Sequence, residues 1–133
     1  MARILIAEDE DAIRGLVARA LLQDGHDVMT ATDGAEALEV LLREQGAFQL
    51  LLTDIRMPVM DGIALALAAA RDHPQLAILL MTGYADQRER AHGLEALIHD
   101  VVTKPFSLAT IRAAVAEALT AGAERRVAVA APL

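Results

Sequence analysis

Four short apolar runs in this sequence each end on residues that can bind a metal ion or a phosphoryl group. Glu8 and Asp9 follow the first run, Asp54 the second, Thr82 the third and Lys104 the fourth. Carboxylates are ligands that Mg²⁺ prefers, and an ammonium and a hydroxyl group can both donate hydrogen bonds to phosphoryl oxygens. Brought together, these side chains would suit a divalent cation and a phosphoryl group.

The elements that carry these residues alternate between strands and helices. Candidate strands lie near residues 3–7, 26–31, 48–53, 76–81 and 101–103, and a helical pattern follows each of them. Residues 48–53 are apolar at nearly every position, as in a central parallel strand that is covered on both faces. The pattern predicts an α/β fold with a parallel sheet, in which the carboxyl ends of the strands bring the polar residues to one edge.

Capping residues and breakers set the bounds of five predicted helices. The first helix is predicted to end near Gly25, and the second, third and fourth are predicted to begin at Asp33, Asp61 and Asp86. Ser107 is the predicted cap of the fifth helix, which runs from Leu108 to about residue 121. The segment 122–133 is rich in small residues. We therefore expect one domain over residues 1–121 and a disordered tail over residues 122–133.

Composition and charge exclude several classes of protein. The 133 residues fit a single domain, and no apolar stretch reaches the roughly 20 residues that a membrane-spanning helix needs. The chain begins without a secretory signal pattern and has no Cys, so we expect a cytoplasmic protein without membrane insertion. Its net charge of −7 opposes direct binding to the phosphate backbone of nucleic acids.

Four motifs, in order and each at a strand end, are similar to those of a known family. They are Ile4-Leu5-Ile6-Ala7-Glu8-Asp9-Glu10, Leu52-Thr53-Asp54-Ile55-Arg56-Met57-Pro58-Val59-Met60-Asp61-Gly62, Met81-Thr82-Gly83-Tyr84 and Thr103-Lys104-Pro105-Phe106. Over about residues 3–120 the chain resembles the bacterial receiver domains of two-component response regulators. The resemblance implies a flavodoxin-like (CheY-like) α/β/α sandwich with a five-stranded parallel sheet in the order 2-1-3-4-5. With no room for an output domain, the chain further resembles stand-alone receivers, in particular cell-cycle regulators of the CpdR type.

The resemblance implies that Asp54 accepts a phosphoryl group from the phosphohistidine of a partner. Three neighbouring carboxylates would repel one another by about 4 kcal/mol per pair, at about 4 Å and an effective dielectric of about 20, so a cation is needed. By resemblance, Asp9 and Asp54 bind Mg²⁺ directly, the main-chain carbonyl of Arg56 is a third ligand, and Glu8 binds through water. The protein would then be a phosphoacceptor with self-catalysed phosphotransfer and autodephosphorylation, not an enzyme that acts on other substrates.

The remaining site residues are expected to form the switch. Lys104 would pair with the phosphoacceptor at rest and with a phosphoryl oxygen afterwards, to which Thr82 would also donate its hydroxyl. By resemblance the peptide bond between Lys104 and Pro105 would be cis. Val101 stands where the family usually has its switch aromatic, and its short, branched side chain is stiff. We hypothesise that Tyr84 instead lengthens the phosphorylated lifetime.

The implied partners are proteins. A histidine kinase or histidine phosphotransfer protein would supply the phosphoryl group, and a downstream protein target would recognise the surface that phosphorylation changes. If the CpdR likeness holds, that target could belong to a protease-delivery system. Direct contact with nucleic acid is not expected.

Three alternative interpretations remain at this point. Asp54 could be an ordinary turn residue, and Glu10 and Asp11 could merely complement the dipole of the first helix. A phosphohydrolase with an aspartyl nucleophile would also be an Mg²⁺-dependent α/β protein, but it needs a second Asp two residues on, where this chain has Arg56. A receiver-fold binding module that works without phosphorylation would keep the same residues, so that only chemistry separates it.

Overall fold

The computed structural model describes residues 2–83, 93–94 and 96–130, with side chains described up to residue 123. In these ranges the chain forms five strands and four helices. The strands are β1 (Arg3–Ala7), β2 (Asp27–Ala31), β3 (Leu50–Asp54), β4 (Ala77–Thr82) and β5 (Asp100–Thr103). The helices are α1 (Asp11–Gln23), α2 (Gly34–Arg43), α3 (Gly62–Asp72) and α4 (Leu108–Ala130). The predicted helix that begins at Asp86 lies outside the described residues.

The five strands form one parallel sheet in the order β2-β1-β3-β4-β5, which confirms the predicted order 2-1-3-4-5. Every residue of β3 and β4 is buried, as predicted for central strands that are covered on both faces. Ala7 pairs with Thr53, and Thr82 pairs with Thr103. The strand ends are therefore in register, so the residues that follow β1 and β5 reach the same edge as the last residues of β3 and β4.

Alternate residues of the strands point to opposite faces of the sheet and form two separate cores. Leu5 and Leu51 pack on the face that α2 and α3 cover, while Ile4 and Leu52 pack on the face that α1 and α4 cover. This period of two is the alternation of side chains along a strand. The chain is therefore the three-layer α/β/α sandwich that the sequence predicts.

Side-chain caps begin three of the helices as predicted. A carboxylate oxygen of Asp33 accepts a hydrogen bond from the amide of Glu36 at 2.8 Å, and Asp61 accepts one from Ala64 at 2.9 Å. At the start of α4, the hydroxyl of Ser107 accepts a hydrogen bond from a main-chain amide at 3.0 Å. Each such cap stabilises a helix by about 1 kcal/mol and fixes the connection that precedes it.

The carboxyl terminus differs from the prediction. Helix α4 runs to Ala130, so the predicted helix end near residue 121 does not agree with the structure. The reason is propensity: Ala, Glu and Arg favour a helix, Gly122 costs only about 1 kcal/mol, and the first strong breaker is Pro132. The predicted disorder of residues 122–133 stays a prediction. Within the described ranges, no helix combines the length and the hydropathy needed to cross a bilayer.

Candidate functional site

A buried ion-paired cluster lies at the carboxyl edge of the sheet. Glu8 follows β1, Asp54 is the last residue of β3, and Lys104 follows β5. The ammonium group of Lys104 donates to Oε1 of Glu8 at 2.8 Å and to Oδ2 of Asp54 at 3.0 Å. The predicted pairing of Lys104 with Asp54 is therefore present. The direct bond to Glu8, which was predicted to act through water on a metal, is an addition that the sequence did not suggest.

Burial governs the electrostatics of this cluster. Glu8 is 0% exposed and Asp54 is 5% exposed, so both carboxylates have lost nearly all their contact with water. Burial raises the pKa of Glu8 to about 7; the neighbouring Asp54 also raises it, while the hydrogen bond from Lys104 lowers it. For Lys104, burial lowers the pKa, but the hydrogen bonds to both carboxylates outweigh it and the pKa is raised. The ammonium group therefore stays charged, and its hydrogen bonds stabilise the ionised forms of Glu8 and Asp54.

Three carboxylates at this edge could hold a cation. Glu8, Asp9 and Asp54 each present an oxygen atom, and the three oxygens lie within 4.8 Å of one another. Asp9 is exposed, in contrast to the other two, and lines the open side of the site. A set made only of oxygen ligands with access to water fits Mg²⁺, which keeps several water ligands in proteins.

The loop after β3 closes tightly over the backbone of Asp54. The amide of Gly62 donates to the carbonyl of Ile55 at 2.7 Å, and a Cβ atom at Gly62 would lie 2.0 Å from the carbonyl oxygen of Asp54. The sequence predicted a helix start at Asp61 but not this close approach at Gly62, although the Asp61-Gly62 pair was a signal for it. Arg56, in the same loop, is exposed and lines the cleft beside Asp54; its carbonyl as a metal ligand remains a prediction.

Thr82 is held next to Lys104 at the end of β4. Its side chain is buried, and its carbonyl accepts a hydrogen bond from the amide of Lys104 at 2.6 Å. The cis peptide bond predicted between Lys104 and Pro105 is confirmed. Val101 is half-buried and packs against the core on the α2 and α3 side of the sheet. Tyr84 lies outside the described residues, so its predicted role stays a prediction.

A cleft of about 810 Å³ opens beside the cluster and has two kinds of wall. Its polar residues include Asp9, Asp54, Arg56 and Lys104. Its apolar residues are Ile13, Leu16, Val17, Pro105, Phe106 and Leu108. This apolar wall was not predicted from the sequence, because the spacing of apolar residues on α1 is also that of a core-facing stripe. Leu16 is nevertheless 49% exposed.

Comparison with known sequences identifies similar proteins. The family model of the response regulator receiver domain matches residues 4–116. The response regulator receiver protein CpdR of Brucella abortus (strain 2308) is 42% identical over 108 residues, covering 81% of this chain and 88% of CpdR. Other relatives are longer: the chain is 34% identical over 118 residues to the sensor kinase CckA of the same organism but spans only 12% of its length.

Solved structures of response regulators have the same fold. A CheY-like receiver domain protein from Methanospirillum hungatei JF-1 has a TM-score of 0.85 and 28% identity, over 94% of this chain and 98% of that one. The response regulator TrrA of Thermotoga maritima, solved in complex with Mg²⁺ and BeF, has a TM-score of 0.78 and 29% identity, over 89% of this chain and 99% of that one. In each of these two comparisons, the similarity extends over nearly the whole length of this chain and of the solved structure.

Proposed function

Because the chain belongs to the family of response regulator receiver domains, we propose that Asp54 accepts a phosphoryl group from a phosphohistidine in a two-component phosphorelay. The observation that carries the proposal is the ion-paired cluster: Lys104 bridges two buried carboxylates, Glu8 and Asp54, beside a third at Asp9. An ordinary turn residue needs no such surroundings. We further propose that residues 1–121 contain the whole receiver.

In the transfer, an oxygen of the Asp54 carboxylate attacks the phosphorus atom of the donor. The new O–P bond forms as the P–N bond to the donor imidazole breaks, and the imidazole leaves with the electron pair of that bond. A carboxylate is a weak nucleophile, so orientation and neutralisation of charge supply most of the acceleration. Asp54 is almost fully buried and lines the cleft, so the donor must reach it from the cleft side.

Three acids would hold Mg²⁺ in this reaction. Asp9 and Asp54 would bind it directly, with the main-chain carbonyl of Arg56 as a third ligand and Glu8 acting through water. When bound, the ion would neutralise the carboxylates and the phosphoryl oxygens. The complex of the relative TrrA with Mg²⁺ and BeF supports this choice of ion.

Lys104 and Thr82 would register the arrival of the phosphoryl group. The Lys104 ammonium is a compact charge with three protons, so it can exchange its bond with Asp54 for one with a phosphoryl oxygen. Thr82 would donate its hydroxyl to another of these oxygens. Because the amide of Lys104 is bound to the carbonyl of Thr82, a movement of one residue affects the other. The phosphoryl group would thus shift a pre-existing conformational equilibrium.

The output of such a protein is a changed protein-binding surface. A histidine kinase or histidine phosphotransfer protein would act upstream, and a protein target would bind downstream. We place the protein in the cytoplasm, in keeping with this signalling role. The likeness to CpdR favours a stand-alone regulator of that type.

Tyr84 is proposed to lengthen the phosphorylated lifetime, since Val101 is too short and stiff to act as a switch aromatic. The change Tyr84→Ala should therefore speed the loss of phosphate from Asp54. The measurement is the decay of the phosphorylated protein by intact mass after the donor is removed. Equal rates in the two proteins would discard this role.

Intact mass spectrometry after incubation with acetyl phosphate tests the proposed function. A single phosphoryl adduct should form on the parent protein in Mg²⁺ and should be absent in EDTA and from Asp54→Asn. Asp72→Asn is the matched control, because Asp72 pairs with Arg71 on the surface. Phosphoramidate should give the same adduct, since its P–N bond resembles that of phosphohistidine.

Two results would contradict the proposal. An adduct on Asp54→Asn equal to that on the parent would move the phosphoacceptor elsewhere. No adduct from either donor, nor from a histidine kinase that phosphorylates other receivers, would favour a binding module that works without phosphorylation.

A further inference from the structure

The turn between β1 and α1 carries Asp9, and within it a carboxylate oxygen of Glu8 accepts a hydrogen bond from the amide of Glu10 at 3.3 Å. Residues 8–11 are four consecutive acids. Glu10 occupies the N-cap position of α1 and makes no side-chain cap hydrogen bond, unlike Asp33 and Asp61 at α2 and α3. Neighbouring like charges repel one another, so an interaction with a cation would stabilise this turn.

Arg14, in the first turns of α1, provides that interaction. One guanidinium nitrogen donates to the main-chain carbonyl of Glu8 at 2.9 Å, and another forms an ion pair with Asp11. The side chain of Arg14 is only 18% exposed, whereas that of Asp11 is 89% exposed, so the contact with the Glu8 carbonyl is the better shielded of the two. A single guanidinium group therefore contacts residues on both sides of Asp9, namely the carbonyl of Glu8 and the carboxylate of Asp11.

Arg14 acts on the site through other residues. Among the described residues, those that line the cleft include Asp9 and Glu10 but not Arg14. Its planar fork suits two acceptors at fixed positions, whereas a lysine offers one compact charge and cannot reproduce both bonds with the same geometry. The contact with the Glu8 carbonyl also joins the end of β1 to the first turns of α1.

We propose that Arg14 is a positioning residue that holds Asp9 in place as an Mg²⁺ ligand by tying the residues on either side of it. This inference rests on the proposed function, because it presupposes that Asp9 binds the ion. Partners that orient metal ligands typically change metal affinity by about 10-fold to 100-fold when they are removed. Since Arg14 contacts the flanks of Asp9 and not its carboxylate, we expect the lower end of that range.

The sign of the effect separates positioning from charge. Arg14 is a cation close to a cation site, so on charge alone its removal would strengthen Mg²⁺ binding. Positioning predicts the opposite, namely weaker binding after the same substitution. A merely structural role would lower the thermal stability and leave the affinity of the folded protein unchanged.

Isothermal titration with Mg²⁺ on the full chain tests the inference. Arg14→Gln should bind Mg²⁺ about 10-fold more weakly than the parent, and Arg14→Lys should fall between them. Arg71→Gln is the matched control, because it removes an arginine whose partner Asp72 lies on the surface, and it should bind like the parent. With acetyl phosphate as donor, the Mg²⁺ concentration for half-maximal phosphorylation should rise about 10-fold in Arg14→Gln, with the maximal rate kept within about twofold.

Thermal unfolding in EDTA shows which variants are folded, and Arg14→Lys carries the test if Arg14→Gln does not fold. Mg²⁺ binding as tight as that of the parent, or tighter, in a folded Arg14 variant would overturn the inference. Asp9→Asn separates this failure from that of the proposed function. If the parent does not bind Mg²⁺, or Asp9→Asn binds it equally well, the metal site itself is wrong and the role of Arg14 falls with it.

Discussion

Glu8 is the residue at which burial and charge oppose each other most directly. Its carboxylate is fully buried, and the Lys104 ammonium group 2.8 Å away is its charged donor. Burial nevertheless dominates and raises the pKa from 4.5 to about 7. Near neutral pH, Glu8 therefore changes between its protonated and ionised forms, while Lys104 stays charged. The sequence placed Glu8 at the right edge but could not reveal this balance, because it depends on how completely the sheet covers the carboxylate.

The raised pKa of Glu8 predicts a pH dependence of stability in the absence of Mg²⁺. Unfolded Glu8 releases its proton near pH 4.5 and folded Glu8 near pH 7, so between these values the folded state binds more protons. The contribution of Glu8 to the free energy of unfolding must then fall as the pH rises through this window, by a few kcal/mol at most. Urea unfolding in EDTA from pH 4.5 to pH 7.5, on the parent and on Glu8→Gln, measures it.

The difference in free energy of unfolding between parent and variant should decline across that range and level off above it. Comparison with the variant removes the contributions of the other titrating groups. A difference that is constant with pH would show that Glu8 titrates alike in both states.

The connections between the elements position the site, and two glycines show how differently they constrain it. Gly62 lies at the start of α3, where a Cβ atom would meet the Asp54 carbonyl oxygen at 2.0 Å. Gly15 lies within α1, where a Cβ atom would meet nothing within 4 Å. The first glycine is required by a close approach of two backbones, while the second only weakens its helix.

Replacing these two glycines with Ala should change the free energy of unfolding in opposite directions. Gly62→Ala should lower the free energy of unfolding by more than about 2 kcal/mol, since backbone atoms must move apart, and should slow phosphorylation of the neighbouring Asp54. Gly15→Ala should raise the free energy of unfolding by about 0.5 to 1 kcal/mol, because Ala favours a helix. Urea unfolding measures both, and each variant is the control of the other. A tolerated Gly62→Ala would contradict the close packing of this loop.

Local patterns predicted the elements better than they predicted what meets between them. The buried run of β3 and the caps Asp33, Asp61 and Ser107 were recognisable because each depends on a few neighbouring residues. The exposed Leu16 in the cleft was not recognisable, because a helical stripe does not tell whether its edge faces a core or a groove. The end of α4 was also predicted wrongly, since Gly122 was given more weight as a breaker than the helix formers around it.

In the described part of the chain, one sheet carries a hydrophobic core on each face and the candidate site at its carboxyl edge. Helix α4 contributes Ile111, Val115 and Ala118 to one core, and all three are fully buried. These positions precede residue 122, so these three core contacts between the helix and the sheet lie within the proposed domain. The helix continues to Ala130, beyond the last of these core positions.

Removal of residues 122–133 should therefore leave the receiver intact. We expect the free energy of unfolding to change by less than about 1 kcal/mol, because the deleted segment follows the core positions of α4. The extent of phosphorylation by acetyl phosphate should also be unchanged. Urea unfolding and intact mass measure the two properties. A truncated chain that does not fold would show that the domain needs the last turns of α4.

Chemical mapping of the modified residue shows whether Asp54 carries the phosphoryl group. Borohydride reduces an aspartyl phosphate to homoserine, which peptide mass spectrometry locates in the sequence. After treatment with acetyl phosphate and Mg²⁺, homoserine should appear at position 54, and EDTA should prevent it. Homoserine at Asp9 or at another aspartate, with Asp54 unchanged, would show that Asp54 is not the phosphoacceptor.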